Sequence, residues 1–143
     1  MRGIVTLSRK GYLLDTLTLL YAVGGLGLMA ISIPLALGKV PPNILYGFRV
    51  RATLEHADLW YPTNRYAGQR LFVVGLVSAL FAPLWRLLPG MTPDAYALFC
   101  GGFIVACLLL TVAQSMRYLH ALEHGRDRFG PATDSNAERN VNP

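Results

Sequence analysis

Residues 40–68 hold the side chains best suited to chemistry: Pro41, Pro42, Asn43, Gly47, Arg49, Thr53, Trp60, Asn64 and Gly68. The chemistry they suggest is recognition. Prolines and glycines fix turns, while Asn, Thr, Arg and Trp supply directional hydrogen bonds; a plain connector needs only polarity and flexibility. A second cluster, His120-Ala-Leu-Glu123-His124, matches the H-x-x-E-H pattern of some zinc proteases and puts both histidines on one helical face. A catalytic zinc site needs a further protein ligand and a shaped cavity. Only Asp127, Asp134 and Glu138 follow, in a segment with almost no apolar content. The cluster therefore reads as the polar end of a helix leaving a membrane, and no catalytic, metal-binding or cofactor-binding residue is assigned.

The elements that must position the 40–68 segment are apolar. Hydrophobic residues make up 53% of the 143-residue chain and charged residues 15%, against roughly 25% charged in soluble domains. Mean hydropathy is +0.39. Residues 16–38 and 95–116 carry no formal charge, and each run is long enough to cross a hydrocarbon core of roughly 30 Å. The run at 71–85 is shorter. It reaches spanning length if Arg86 snorkels to the interface and Leu87 and Leu88 complete the helix before Pro89-Gly90 breaks it. The fold class is thus all-α: an integral membrane protein with three transmembrane helices and an interfacial loop helix between the first and second. The domain is expected over 1–124, with a disordered polar tail over 125–143.

The net charge of +5 comes from basic residues flanking the apolar runs. That placement fits lipid headgroups, and no nucleic-acid-reading motif accompanies it. Three spans put the N-terminus and the Pro89-Gly90 turn on one side, with Arg2, Arg9, Lys10 and Arg86. The other side carries Lys39, Arg49, Arg51, Arg65, Arg70, Arg117, Arg126 and Arg128. Eight against four predicts a cytoplasmic 39–70 loop and tail and an outside N-terminus. The first run is too long for a signal-peptide core and lacks a clean small-residue cleavage site. Cys100 and Cys107, seven apart on one helix, stand about 10 Å apart along its axis and cannot pair. Gly24, Gly25, Gly27, Gly75, Ala79, Gly101 and Gly102 mark close helix contacts.

Within the segment, Pro41-Pro42-Asn43 is expected to stop the first helix, and Gly47 to occupy a position where a side chain would clash. Thr53 reads as an N-cap with Glu55 and Asp58 near the positive helix end. Trp60, Tyr61 and Tyr66 would seat the resulting short helix in the headgroup layer, and Pro62 would kink or end it. Arg49 has three candidate partners: a lipid phosphate, the Glu55 or Asp58 carboxylates and backbone carbonyls in a clamp, or the carboxylate of a binding partner. Asp15 can pair with Arg86 or lie at the headgroups beside a helix N-terminus.

Taken together, Pro41-Pro42-Asn43, Tyr46-Gly47-Phe48-Arg49, Thr53, Trp60, Asn64 and Gly68, with a span on each side, resemble the SdpI family of small bacterial membrane proteins. The resemblance implies a non-catalytic protein of the bacterial inner membrane. It gives immunity to a membrane-active peptide toxin, signals envelope stress through residues 40–68, or does both. Implied partners are membrane lipids, a peptide toxin and a cytoplasmic transcriptional repressor, with no direct nucleic-acid contact. The family's founding member is longer, with a further membrane region before this module. The alternative reading is a subunit of a small transporter or channel, for which a three-helix unit would have to assemble as a homo-oligomer; midplane ionisable residues, the usual sign of an ion path, are missing from the runs.

Overall fold

The computed structural model describes residues 2–129. It contains four helices: α1 (Arg2–Ala36), α2 (Arg51–Glu55), α3 (Ala57–Arg86) and α4 (Pro93–Phe129). Three of them are long and apolar enough to cross a membrane, over Lys10–Ala36, Ala57–Arg86 and Pro93–Arg126. Their outward leucines and valines, such as Leu19, Leu26, Leu80, Leu109 and Val112, are exposed. Exposed apolar side chains on every long helix are what lipid as solvent demands.

α1 and α3 run antiparallel, and glycines bring their backbones into contact. A Cβ built on Gly25 would fall 2.6 Å from the Ala79 nitrogen and 2.7 Å from the Gly75 oxygen. One on Gly68 would fall 2.5 Å from the Ala36 nitrogen. Small residues replace the hydrophobic drive that is missing between helices in lipid. Of the small residues expected at contacts, Gly25, Gly75 and Ala79 meet each other and Gly101 faces the Tyr21 hydroxyl, while a Cβ on Gly24, Gly27 or Gly102 would meet nothing within 4 Å.

At the end opposite the 40–68 segment, α4 packs against both α1 and α3. Leu14, Tyr96 and Cys100 form a buried cluster there, with Leu17, Tyr21 and Trp85 against it. The Tyr96 hydroxyl donates to the Ala82 carbonyl at 2.9 Å, and the Tyr21 hydroxyl to the Ala97 carbonyl at 3.1 Å. Phe81 stacks on both Trp85 and Phe103. Arg86 reaches Asp15 at 3.2 Å, so Asp15 takes the ion pair foreseen for it. Cys100 and Cys107 are free thiols.

Three boundaries differ from expectation. α1 ends at Ala36, before the prolines, and Gly38 closes it: with φ +67°, Gly38 sends its N–H to the Leu35 carbonyl, and Lys39 sends its own to Pro34. This is a glycine-terminated helix end in which both orphan carbonyls are met. Pro62 does not end a helix, because α3 runs through it. Proline there costs one backbone bond, and burial of Trp60, Thr63 and Asn64 on the flanking turn outweighs that loss. α4 continues to Phe129, five residues into the segment expected to be tail; 130–143 lie outside the described residues.

Candidate functional site

The 37–50 loop is built from its own short-range bonds. The Asn43 side-chain oxygen accepts the N–H groups of Leu45 (2.9 Å) and Tyr46 (2.8 Å), while its amide donates to the Pro41 carbonyl at 2.8 Å. An Asn closing a turn on its own backbone explains the residue type directly. Gly47 follows at φ +117°, and a Cβ there would lie 2.5 Å from Asn64 Oδ1. Both the conformation and the space require glycine.

Two residues of α3 then fasten this loop to the bundle. Asn64, 2% exposed, accepts the Phe48 N–H at 2.6 Å, and its amide donates to the Trp60 carbonyl (3.1 Å) and the Phe48 carbonyl (3.4 Å). Trp60 is fully buried, and its indole N–H donates to the Val40 carbonyl at 2.8 Å. Loop carbonyls and amides have no helix or sheet to pair with, so side chains must satisfy them. Trp60 is therefore a clamp, not the headgroup anchor expected of it. Tyr61 is exposed, and Tyr66 stacks on Tyr118 at 4.5 Å with Arg70 over its ring.

Thr53 also differs from expectation. α2 begins at Arg51, so Thr53 sits inside the first turn, and Val50 is the N-cap. Its hydroxyl still closes that turn, accepting the Val50 N–H at 3.1 Å and facing the Phe48 and Val50 carbonyls at 3.0 and 2.9 Å. Asp58 lies in the first turn of α3, where a negative charge meets the helix dipole.

Arg49 points away from this network. It is exposed, and among the described residues it forms no ion pair. The carboxylates considered for it are engaged elsewhere: Glu55 with Arg51 at 2.8 Å, Asp58 with Arg126 at 3.6 Å. The intramolecular clamp on Glu55 or Asp58 is thus not formed, and the guanidinium faces outward with Ile44 (77% exposed) and Leu45 (86%). The motif divides by role: Asn43, Gly47, Thr53, Trp60, Asn64 and Gly68 turn inward and shape the loop, while Pro42 and Arg49 remain on its surface. The sequence did not single out the Ile44–Leu45 tip, since nothing in two adjacent apolar residues marks them as exposed.

In the second cluster, His120 Nδ1 lies 3.1 Å from Glu123 Oε2, and His124 Nδ1 lies 2.8 Å from the His120 carbonyl. Both histidines thus bond along their own helix. Among the described residues no three His, Cys, Asp or Glu side chains come together as a metal site.

The profile of the SdpI/YfhL protein family matches residues 39–114, more than half of the chain. The chain belongs to the SdpI/YfhL protein family. The match covers the loop from Lys39 onward, α2, α3 and most of the α4 span. It therefore takes in every inward-facing residue of the clamp. No curated protein and no solved structure matches the chain.

Proposed function

We propose that this protein is a non-catalytic binding protein of the bacterial cytoplasmic membrane, giving immunity to a membrane-active peptide or signalling its presence through the 40–68 segment. The observation that carries this reading is the division within the motif. Asn64, Trp60 and Asn43 spend their hydrogen bonds on the loop itself, and the rigid result holds Ile44, Leu45 and Arg49 outward. An exposed apolar pair and, on the same loop, an exposed guanidinium with no ion pair among the described residues suit an amphipathic peptide carrying a carboxylate, or a repressor docking at the membrane. The charge count supports a cytoplasmic loop and C-terminal end, which favours the signalling arm with a transcriptional repressor as partner. The transporter or channel alternative has less behind it: the Asp15–Arg86 pair lies at one end of the spans, not along a path through them.

The test follows membrane potential with a voltage-sensitive dye in cells that do or do not express the protein, challenged with a synthetic amphipathic peptide that has a free C-terminal carboxylate and depolarises membranes. Expressing cells are expected to hold their potential. Arg49→Ala, and Ile44→Ser with Leu45→Ser, are expected to lose that protection at unchanged membrane abundance. Full protection by both variants overturns the role of the loop surface. A cysteine placed at Glu55, with Cys100 and Cys107 replaced by serine, decides sidedness: impermeant maleimide labels it only after permeabilisation if the loop is cytoplasmic.

A further inference from the structure

Beneath the loop lies a half-enclosed cavity of about 410 Å³, within the roughly 300–1,000 Å³ typical of ligand sites. Leu35 of α1, Leu71 of α3, and Leu108 and Val112 of α4 line it, with Tyr46 and Phe48 as its cover. Almost all of this surface is apolar. Two of the lining residues, Ser115 and Tyr46, carry a hydroxyl that is buried and has no hydrogen-bond partner. Ser115 is 0% exposed. Helical Ser and Thr in lipid usually return their hydroxyl to the carbonyl one turn back. Thr111, one turn away on the same wall, does so to Cys107 at 2.9 Å. Ser115 does not.

The depths of these groups are ordered. Tyr46 is in the loop, and Ser115 comes just before Met116, the last residue of the uncharged run. Leu108 lies two turns deeper, about 10 Å along the axis. The hydroxyls are thus at the headgroup end and the aliphatic wall runs inward. Val112 both lines the cavity and is 51% exposed, which puts one wall of the cavity at the outer surface of α4. Burial pushes the Tyr46 phenol above its ordinary 10.0; it stays protonated at neutral pH and keeps its O–H to donate.

We propose that this cavity holds one acyl chain of a membrane glycerolipid, its ester carbonyl accepting a hydrogen bond from Ser115, with Tyr46 as a second donor at the cover, and its methylenes lying against Leu35, Leu71, Leu108 and Val112. The polar end of such a chain is an acceptor without a donor, which complements two donors without acceptors. Its depth in a bilayer, ester at the interface and chain inward, is the order in which the cavity presents its groups. An occupied site would fix the underside of the loop while leaving Ile44, Leu45 and Arg49 free above it.

The experiment uses the full chain in liposomes of phosphatidylethanolamine and phosphatidylglycerol, doped with a phosphatidylcholine carrying a diazirine in one acyl chain. After photolysis, adducts are mapped by peptide mass spectrometry. The expected result is enrichment on Leu35, Leu71 and Leu108 over the lipid-facing Leu19 and Leu109, with suppression by excess unlabelled phospholipid. Ser115→Ala is expected to lower the cavity adduct about threefold to tenfold. Val112→Trp, which places an indole at the outer wall, is expected to remove most of it, with helical circular dichroism unchanged for both variants. Adducts no richer in the cavity than on Leu109 overturn the proposal, as does suppression by palmitate but not by phospholipid. An unchanged yield in Ser115→Ala also overturns it.

Discussion

The two ends of this bundle are finished by different means. At the Pro89-Gly90 end, side chains from the three long helices close the core themselves: Tyr96 and Tyr21 bond across to neighbouring backbones, and Phe81 stacks on Trp85 and on Phe103 of α4. At the other end the helices also pack, with Gly68 against Ala36 and Tyr66 stacked on Tyr118. A fourth element, the 37–50 loop, is laid over them and fastened by Trp60 and Asn64, with a cavity left underneath. The difference shows where a small membrane protein can carry function. The self-closed end is finished by contacts between the long helices, whereas the lidded end has an exposed tip above and a hollow below.

The largest expected effect separates the ends outright. Trp60→Ala removes a fully buried indole and its bond to Val40, and is expected to cost about 3–5 kcal/mol. The damage should be confined to the loop. In a background without native cysteines, Cys at Leu45 should react with maleimide much faster, while Cys at Gly90 keeps its rate; equal acceleration at both would mean that the ends are not independent. Asn64→Leu leaves the Phe48 N–H and carbonyl without their partners, and a loss of about 2–3 kcal/mol is expected in a dodecyl sulfate unfolding titration. Its signature should again be confined to the loop end. Tyr96→Phe is the matching change at the closed end. Losing its bond to Ala82 should cost about 1 kcal/mol in the same titration and leave loop labelling unchanged. Asp15→Asn should be the mildest, at or below about 1 kcal/mol, because its pair with Arg86 is well exposed. A larger loss would mean that this ion pair is shielded by the bilayer.

Much of this contrast was legible in the residues, though unevenly. The three spans followed from uncharged runs, because lipid contact is what such runs report. Their ends did not: α3 begins at Ala57, well before the apolar run at 71, since a helix continues into the headgroups wherever packing supports it. The importance of Trp60, Asn64 and Gly47 was visible from residue type, while their direction was not. Trp60 near an interface reads as a headgroup anchor until a carbonyl twenty residues back, at Val40, takes its N–H. Pro62 read as a stop because its missing donor is a local fact, whereas the burial of Trp60, Thr63 and Asn64 around it is a tertiary one. Gly38 was a readable signal, a glycine closing an apolar run, overshadowed by the Pro-Pro that follows. The cavity had no signature at all, since a serine in an apolar run looks the same whether or not its hydroxyl is partnered.

The indoles follow the same division. The chain has two tryptophans: Trp60 holds the loop, and Trp85 lies among the aromatic rings at the other end. Each end of the molecule therefore contains its own intrinsic fluorophore. With Trp85 replaced by phenylalanine, the emission of the remaining indole reports on the lid alone, with no label attached. Opening of the lid, by a peptide at its tip or by emptying of the hollow beneath, becomes a red shift that can be followed in real time in an intact bilayer.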